Sequence, residues 1–108
     1  MNVTNIGKAR KWFEVLQTSE RSQTAMMTLA PGAATGRSAE AHEKSEQVLL
    51  VLDGELQGEI GHEKRKLQRG DVIVIPAGVK HRFRNPGKRA AITFNTYSPP
   101  EYPPATKG

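Results

Sequence analysis

The sequence predicts an all-β fold, a sandwich or barrel of short antiparallel strands. Turn signals such as Pro31-Gly32, Asp53-Gly54 and Gly70-Asp71 recur about every eight to twelve residues. The segments between them are rich in Val, Ile, Leu, Thr and Phe, residues that favour strands. The chain shows no internal repeat and no amphipathic helix of useful length. Together these observations are typical of a small β-sandwich or β-barrel.

The turn signals divide the chain into its predicted strands. These span residues 12–17, 24–30, 38–42, 47–53, 55–60, 63–68, 71–75, 80–84 and 90–97. The hairpin at Asp53-Gly54 is the clearest, because this dipeptide supplies the positive φ angles that a tight turn needs.

Length and composition indicate one small domain. The 108 residues fit a single domain over 1–108, with a core at about 24–97, an N-terminal arm at 1–23 and a proline-rich tail at 98–108. The absence of cysteine excludes disulfides, thiolate metal sites and cysteine nucleophiles. The N-terminus lacks the apolar segment of a signal peptide, and the longest apolar run, 48–52, is far too short to span a membrane. We therefore expect a cytoplasmic protein with no membrane partner.

The chain carries a formal net charge of +5, and its basic residues are grouped. One interpretation is a nucleic-acid surface, and a second is an anionic small-molecule ligand. The interpretation we favour is that Lys and Arg protect solvated hairpins and edge strands from unwanted pairing. No helix-turn-helix, RNP or zinc-finger pattern accompanies the charge, so we do not expect nucleic acid as a partner.

The proline-rich tail has two interpretations. It could run as an extended polyproline segment that another protein recognises. The interpretation we favour is a segment pinned across the barrel by Tyr97 and Tyr102.

The strand at 47–53 is apolar on both faces. Gln47, Leu49 and Val51 share one face, and Val48, Leu50 and Leu52 share the other. Because one face of a small sandwich should meet water, something must cover the outer face. The cover is either the N-terminal arm with Trp12 and Phe13 or a second subunit, and we expect a homodimer.

The segment GDVIVIPAGVKHRFRN at 70–85 resembles the second motif of the cupin superfamily, G-x5-P-x-G-x2-H-x3-N. It matches at every defined position, with Gly70, Pro76, Gly78, His81 and Asn85. Upstream, EAHEKSEQVLLVLDGEL resembles the first cupin motif, H-x-H-x4-E-x6-G, at His42 and Gly54. The resemblance covers roughly 24–97 and implies a small single-domain cupin, an all-β jelly-roll barrel.

The resemblance also implies a site for one divalent metal ion, Fe, Mn, Ni or Zn. Carried over by position, its candidate ligands are Glu40, His42, Gln47 and His81. Two of these depart from the family pattern, because Glu40 replaces the first histidine and Gln47 replaces the glutamate. Two histidines, a carboxylate and a neutral oxygen donor still form a set that such an ion accepts. The alternative is a vestigial site in which Glu40 pairs with a protonated histidine.

The cavity is expected to be lined by residues that follow these ligands at strand period, namely Leu49, Val51 and Phe83. The resemblance implies a metal-dependent enzyme of the dioxygenase, isomerase or decarboxylase type that acts on a small organic acid, sugar or phenol. The alternative is a non-catalytic small-ligand binding module, because the fold does not fix the function.

Overall fold

The computed structural model describes residues 1–105, and its regular secondary structure is almost entirely β-strand. Its elements are a 3-10 turn, Ile6–Lys8, and the strands β1 Phe13–Thr18, β2 Gln23–Leu29, β3 Glu46–Asp53, β4 Glu55–Ile60, β5 Glu63–Gln68, β6 Val72–Ile75, β7 His81–Arg84 and β8 Ala91–Ser98. The strands pair antiparallel in two sheets. The larger sheet has the order β1-β2-β8-β3-β6, and the smaller has the order β5-β4-β7. This arrangement confirms the predicted all-β jelly roll.

The predicted strand at 38–42 is absent from the described residues as a strand. A single bridge joins Glu40 to His81, through two backbone hydrogen bonds of 3.1 and 2.9 Å. The same chain segment touches β7 earlier, where Thr35 N donates to Phe83 O at 2.9 Å. Six positions separate Ala34 from Glu40 but only three separate their bridge partners Arg84 and His81, so the segment bulges between the bridges and forms no ladder. Within the bulge the carbonyl oxygen of Gly36 accepts a hydrogen bond of 2.7 Å from Arg82 Nε.

The hairpin predicted at Asp53-Gly54 is wrong, because β3 lies in the larger sheet and β4 in the smaller, and the two strands do not pair. The turn between them carries the chain from one sheet to the other. Gly54 has a φ of 76°, in the left-handed region that favours glycine. A Cβ at this position would also lie 2.5 Å from the carbonyl oxygen of Ala90. The turn therefore packs directly on the start of β8. Of the predicted dipeptide only Gly54 has a positive φ, and Asp53 does not.

The core lies between the two sheets. Its buried cluster contains Met27, Leu29, Leu49, Val51, Leu56, Leu67, Ile75, Phe83 and Ala91. The motif residue Asn85 closes one end of this core. Its amide nitrogen donates to the carbonyl oxygens of Leu29 and Arg89, both at 2.8 Å, and its Oδ1 accepts from Gly87 N at 2.9 Å. Asn85 therefore satisfies backbone groups that would otherwise be buried without partners.

The tail crosses the barrel next to β2. The carbonyl oxygen of Pro99 accepts a hydrogen bond from Ser45 Oγ at 2.7 Å, and the backbone of Tyr102 is bonded to the side chain of Gln23. We call residues 99–102 the strap. The tail thus crosses the barrel, held by Gln23 and Ser45 in addition to the contact of Tyr102 with Tyr97. Residues 106–108 of the predicted tail lie outside the described residues.

The outer face of the larger sheet is apolar at its β6 edge. Val48 and Leu50 of β3 lie opposite Val74 and Val72 of β6. The two valines of β6 are 55% and 59% exposed. Among residues 1–105, no helix has the length and apolar character needed to cross a bilayer.

Candidate functional site

One end of the barrel contains a cavity of about 400 Å³. All four predicted ligands, Glu40, His42, Gln47 and His81, line it. They come from three places in the fold: the segment that bridges to β7, the start of β3 and the start of β7. Residues that are up to 41 positions apart in the sequence therefore line the same cavity.

The turn between β6 and β7 positions both histidines. Gly78 N donates a hydrogen bond of 2.8 Å to the carbonyl oxygen of His42. The carbonyl oxygen of Val79 lies 3.1 Å from Nδ1 of His81, so that this nitrogen carries the proton and Nε2 keeps a free lone pair. The two imidazole rings have centroids 4.9 Å apart. Gly78 has a φ of 82°, which explains why the motif needs glycine in this turn.

Burial lowers the pKa of His81 from its usual 6.5. The hydrogen bond to Val79 opposes this effect, the nearby His42 adds to it, and Glu40 weakly opposes it. Because desolvation is the largest cause, His81 is neutral at physiological pH, which is the form that can donate a lone pair.

A buried relay of polar side chains fixes the orientation of Gln47. Thr93 Oγ1 donates to the carbonyl oxygen of Met27 at 3.0 Å, and it accepts from Asn95 Nδ2 at 2.9 Å. Asn95 Oδ1 must then be an acceptor, and it receives Gln47 Nε2 at 2.9 Å. Because a carbonyl oxygen can only accept, the whole relay has one direction.

The relay leaves Gln47 Oε1 as its free end. This oxygen is buried and has no hydrogen-bond partner in the structure. A buried oxygen without a partner costs about 1–3 kcal/mol, so its presence calls for an explanation. Gln47 lines the cavity, where an electron-pair acceptor would satisfy that oxygen.

The two cavity carboxylates differ in their surroundings. Glu40 lines the cavity but is exposed, whereas Glu101, which the sequence did not single out, lies on the strap. Its Oε2 is 3.5 Å from Nδ1 of His42. Glu101, from the tail, is therefore the carboxylate that contacts the side chain of His42.

Among residues 1–105, no group of three or more His, Cys, Asp or Glu side chains is close enough together to hold a metal ion. The histidine pair and Gln47 are near one another, but the carboxylates do not complete a cluster of that kind. The donor types nevertheless suit a divalent ion, since imidazole nitrogens and an amide oxygen without a hydrogen-bond partner can each supply a lone pair.

Aromatic side chains form much of the remaining wall. Tyr102 packs on Phe13 with centroids 4.8 Å apart and on Tyr97 at 5.2 Å. Burial is the main cause that raises the pKa of Tyr97 and of Tyr102, so both phenols stay protonated. Trp12 also lines the cavity.

Two residues that were expected to line the cavity lie elsewhere. Phe83 lines it as expected, but Leu49 and Val51 lie outside its lining and are buried in the core. They share the inward face of β3 with Gln47 but lie further along the strand, where the opposing sheet fills the space. Trp12 and Phe13 were considered as a cover for the outer face, and they line the cavity instead.

The sequence did single out Tyr97 and Tyr102, but only as a pin for the tail. The sequence held one signal for the cavity role of Tyr97, which is that Thr93, Asn95 and Tyr97 are spaced at strand period and so share one face of β8. In the structure this face is buried. For Glu101 the sequence held no such signal, since a tail of prolines has no repeating face.

Comparison with known proteins agrees with this geometry. The model of the cupin domain family matches residues 25–97. A crystal structure of BH2720 from Bacillus halodurans superposes with a TM-score of 0.87 and 29% sequence identity, covering 96% of this chain and 85% of that one.

Two curated relatives are much longer proteins. The chain is 31% identical to xanthan biosynthesis protein XanB of Xanthomonas campestris over 81 residues, which are 73% of this chain and 17% of that protein. It is 30% identical to a mannose-1-phosphate guanylyltransferase of Salmonella montevideo over 91 residues, 82% of this chain and 19% of that protein. The chain thus spans less than a fifth of the length of either relative.

Proposed function

The chain belongs to the cupin family, and from this we propose that its cavity binds a small organic molecule beside a divalent metal ion. His42, His81 and Gln47 would hold the ion, with Glu40 at the rim as the predicted fourth ligand. The observation that carries the proposal is the buried Gln47 Oε1, which has no hydrogen-bond partner and is fixed as an acceptor by the relay behind it.

The residues around the ligands prepare the site without the ion. Val79 holds the His81 ring through Nδ1, so that Nε2 remains available. Aromatic side chains exclude water and offer flat surfaces to a ligand. When bound, a divalent ion would supply a Lewis acid to a substrate oxygen, and this is the basis for proposing an enzyme of the dioxygenase, isomerase or decarboxylase type.

The cavity walls also narrow the class of ligand. A volume of about 400 Å³ suits a small molecule. The lining found within residues 1–105 includes Glu40 and Glu101 and no Lys or Arg, so a phosphate group would meet no cationic side chain. A sugar or a phenol therefore fits better than a sugar phosphate, and an organic acid would depend on the metal ion for its carboxylate.

Metal content tests this proposal. We expect about one Fe, Mn, Ni or Zn ion per chain in protein purified without a chelating tag, measured by elemental analysis. Titration of metal-free protein with Ni²⁺ should give binding that His81→Ala weakens by more than the roughly 10–100-fold that is usual when only the partner of a ligand is lost. His62→Ala is the matched control, since His62 is exposed in the β4–β5 turn. No ion and no Ni²⁺ binding in the unaltered protein would contradict the proposal.

The alternative is a non-catalytic binding module with a vestigial metal site. It is favoured by the lack of a group of three metal-binding acidic, histidine or cysteine side chains among residues 1–105. A protein that binds a small aromatic or sugar ligand in the cavity while ignoring Ni²⁺ would support it.

We also propose that the chain forms a homodimer through the apolar outer face at β3 and β6. Val72 and Val74 are more than half exposed there, and a two-fold partner would cover the same patch on both subunits. Light scattering should give about 24 kDa, twice the 11.9 kDa chain, and Leu50→Lys should return it to the monomer without unfolding it. A monomer at every concentration would reject the dimer.

We infer that the basic surface does not mark a nucleic-acid site. Several of its members face acidic neighbours: Lys66 lies 2.8 Å from Glu55, and Arg89 lies 2.9 Å from Asp53. The cytoplasmic location stays a prediction.

A further inference from the structure

The strap is held in place by a buried side chain. Gln23 is 1% exposed and forms three hydrogen bonds with the strap backbone. Its Nε2 donates to the carbonyl oxygen of Tyr102 at 2.8 Å, and its Oε1 accepts from the backbone nitrogens of Glu101 and Tyr102 at 3.1 and 2.9 Å. Because both ends of one amide are used, residues 101 and 102 are fixed relative to β2.

This fixed backbone directs Glu101 at the cavity. The side chain of Glu101 is 28% exposed, and its Oε2 lies 3.5 Å from Nδ1 of His42. The distance is long for a hydrogen bond, yet it is short enough for the negative charge to favour a proton on the nearer ring nitrogen. Tyr102 packs against the same ring, with centroids 5.9 Å apart and planes at 79°.

We propose that Glu101 is a positioning residue for His42. With the proton held on Nδ1 by Glu101, the lone pair of His42 lies on Nε2, the nitrogen on the other side of the ring. His81 has the same arrangement, because the carbonyl oxygen of Val79 occupies its Nδ1 side. The two histidines are thus prepared in one tautomer by two different acceptors, a carboxylate from the strap and a carbonyl from the β6–β7 turn.

The inference extends the proposed function, since a metal ion at Nε2 would require this tautomer. The strap would then contribute to the site from outside both cupin motifs, and Gln23 would support it from β2. The tautomer of His42 can be measured without any metal ion, so the role of Glu101 is tested independently of the proposed function.

The first experiment reads the tautomer directly in metal-free protein. The chain has only three histidines, so a two-bond ¹H–¹⁵N correlation spectrum of histidine-labelled protein is simple to assign. In the unaltered protein at about pH 8, His42 and His81 should both carry the proton on Nδ1. Glu101→Ala should move His42 toward the Nε2–H form and leave His81 unchanged, because the partner of His81 is backbone.

Two variants serve as controls in the same spectrum. Glu101→Gln should preserve part of the Nδ1–H form, since its amide oxygen can still accept from the ring. Glu46→Gln removes an equal charge from an exposed residue of β3 and should change neither ring. An Nε2–H form of His42 in the unaltered protein, or a His42 that keeps the Nδ1–H form in Glu101→Ala, would overturn the proposal.

The second experiment measures the consequence for the site. In titrations with Ni²⁺, Glu101→Ala should weaken binding by about 10–100-fold relative to the unaltered protein and Glu46→Gln, as is usual when the partner of a ligating histidine is lost. Unchanged Ni²⁺ affinity alongside a changed tautomer would reject the coupling. If the unaltered protein binds no Ni²⁺, the proposed function fails while the tautomer result still decides the role of Glu101.

Discussion

The inward face of β3 serves two ends of the barrel that are organised differently. At the mouth it presents Gln47, which is held by a directional relay through Asn95. Two and four residues further on it presents Leu49 and Val51, which are fully buried in the apolar core. Hydrogen bonds specify the mouth, whereas shape and apolar burial specify the closed end. One strand face can thus carry both the site and the core, and the change occurs within two residues.

The largest effect is expected at the closed end. Leu49→Ala should lower the free energy of unfolding by about 2–5 kcal/mol, because it removes buried methyl groups and leaves a cavity. Urea unfolding measures this, with Val3→Ala as the control, since Val3 is 77% exposed. The folded variant should bind Ni²⁺ as the unaltered protein does, because Leu49 does not line the cavity. A large loss of Ni²⁺ affinity in Leu49→Ala would show that packing at the closed end is coupled to binding at the mouth.

A smaller stability effect with a larger binding effect is expected at the mouth. Gln47→Leu removes the donor to Asn95 Oδ1, but it also removes the unpaired Oε1. Because these changes oppose each other, we expect a loss of about 1 kcal/mol in the metal-free protein together with a clear loss of Ni²⁺ affinity. Gln68→Leu, at an exposed position of β5, is the control. A variant that keeps its Ni²⁺ affinity would remove Gln47 from the site.

The difference between the two ends also explains what could be predicted from the sequence. Strand period and turn residues are local, so they predicted the all-β fold. The shared site of Glu40, His42, Gln47 and His81 was implied by the resemblance to the two cupin motifs and not by the period. Period alone, however, cannot tell how far along the barrel the opposing sheet closes, and for that reason Leu49 and Val51 were assigned to the cavity wall.

Other features depend on contacts between distant parts of the chain. The segment 38–42 was predicted to be a strand but forms only one bridge, because the chain before it has more residues than the part of β7 that it faces and bulges there. Glu101 reaches His42 because Gln23, which lies 78 positions earlier, holds its backbone. No local pattern encodes such a contact, and only the folded chain brings it into view.

The smallest expected effect is the pH dependence that His81, at the mouth, gives to the free energy of unfolding. Burial lowers the pKa of His81 below 6.5 in the folded state, so below that pH the unfolded chain binds a proton that the folded chain does not. The free energy of unfolding therefore falls as the pH decreases from about 6.5 toward the lowered pKa of His81 in the folded protein. Above about pH 6.5 this loss is absent. Urea unfolding of chelator-treated protein at about pH 7.5 and about pH 5 should show this loss, and His81→Asn should reduce it.

His62→Asn, at an exposed turn position, should retain the full pH dependence. Since Leu49 does not titrate, Leu49→Ala should be destabilised equally at both pH values relative to the unaltered protein. An identical pH dependence in His81→Asn and the unaltered protein would contradict the assignment of this effect to the mouth.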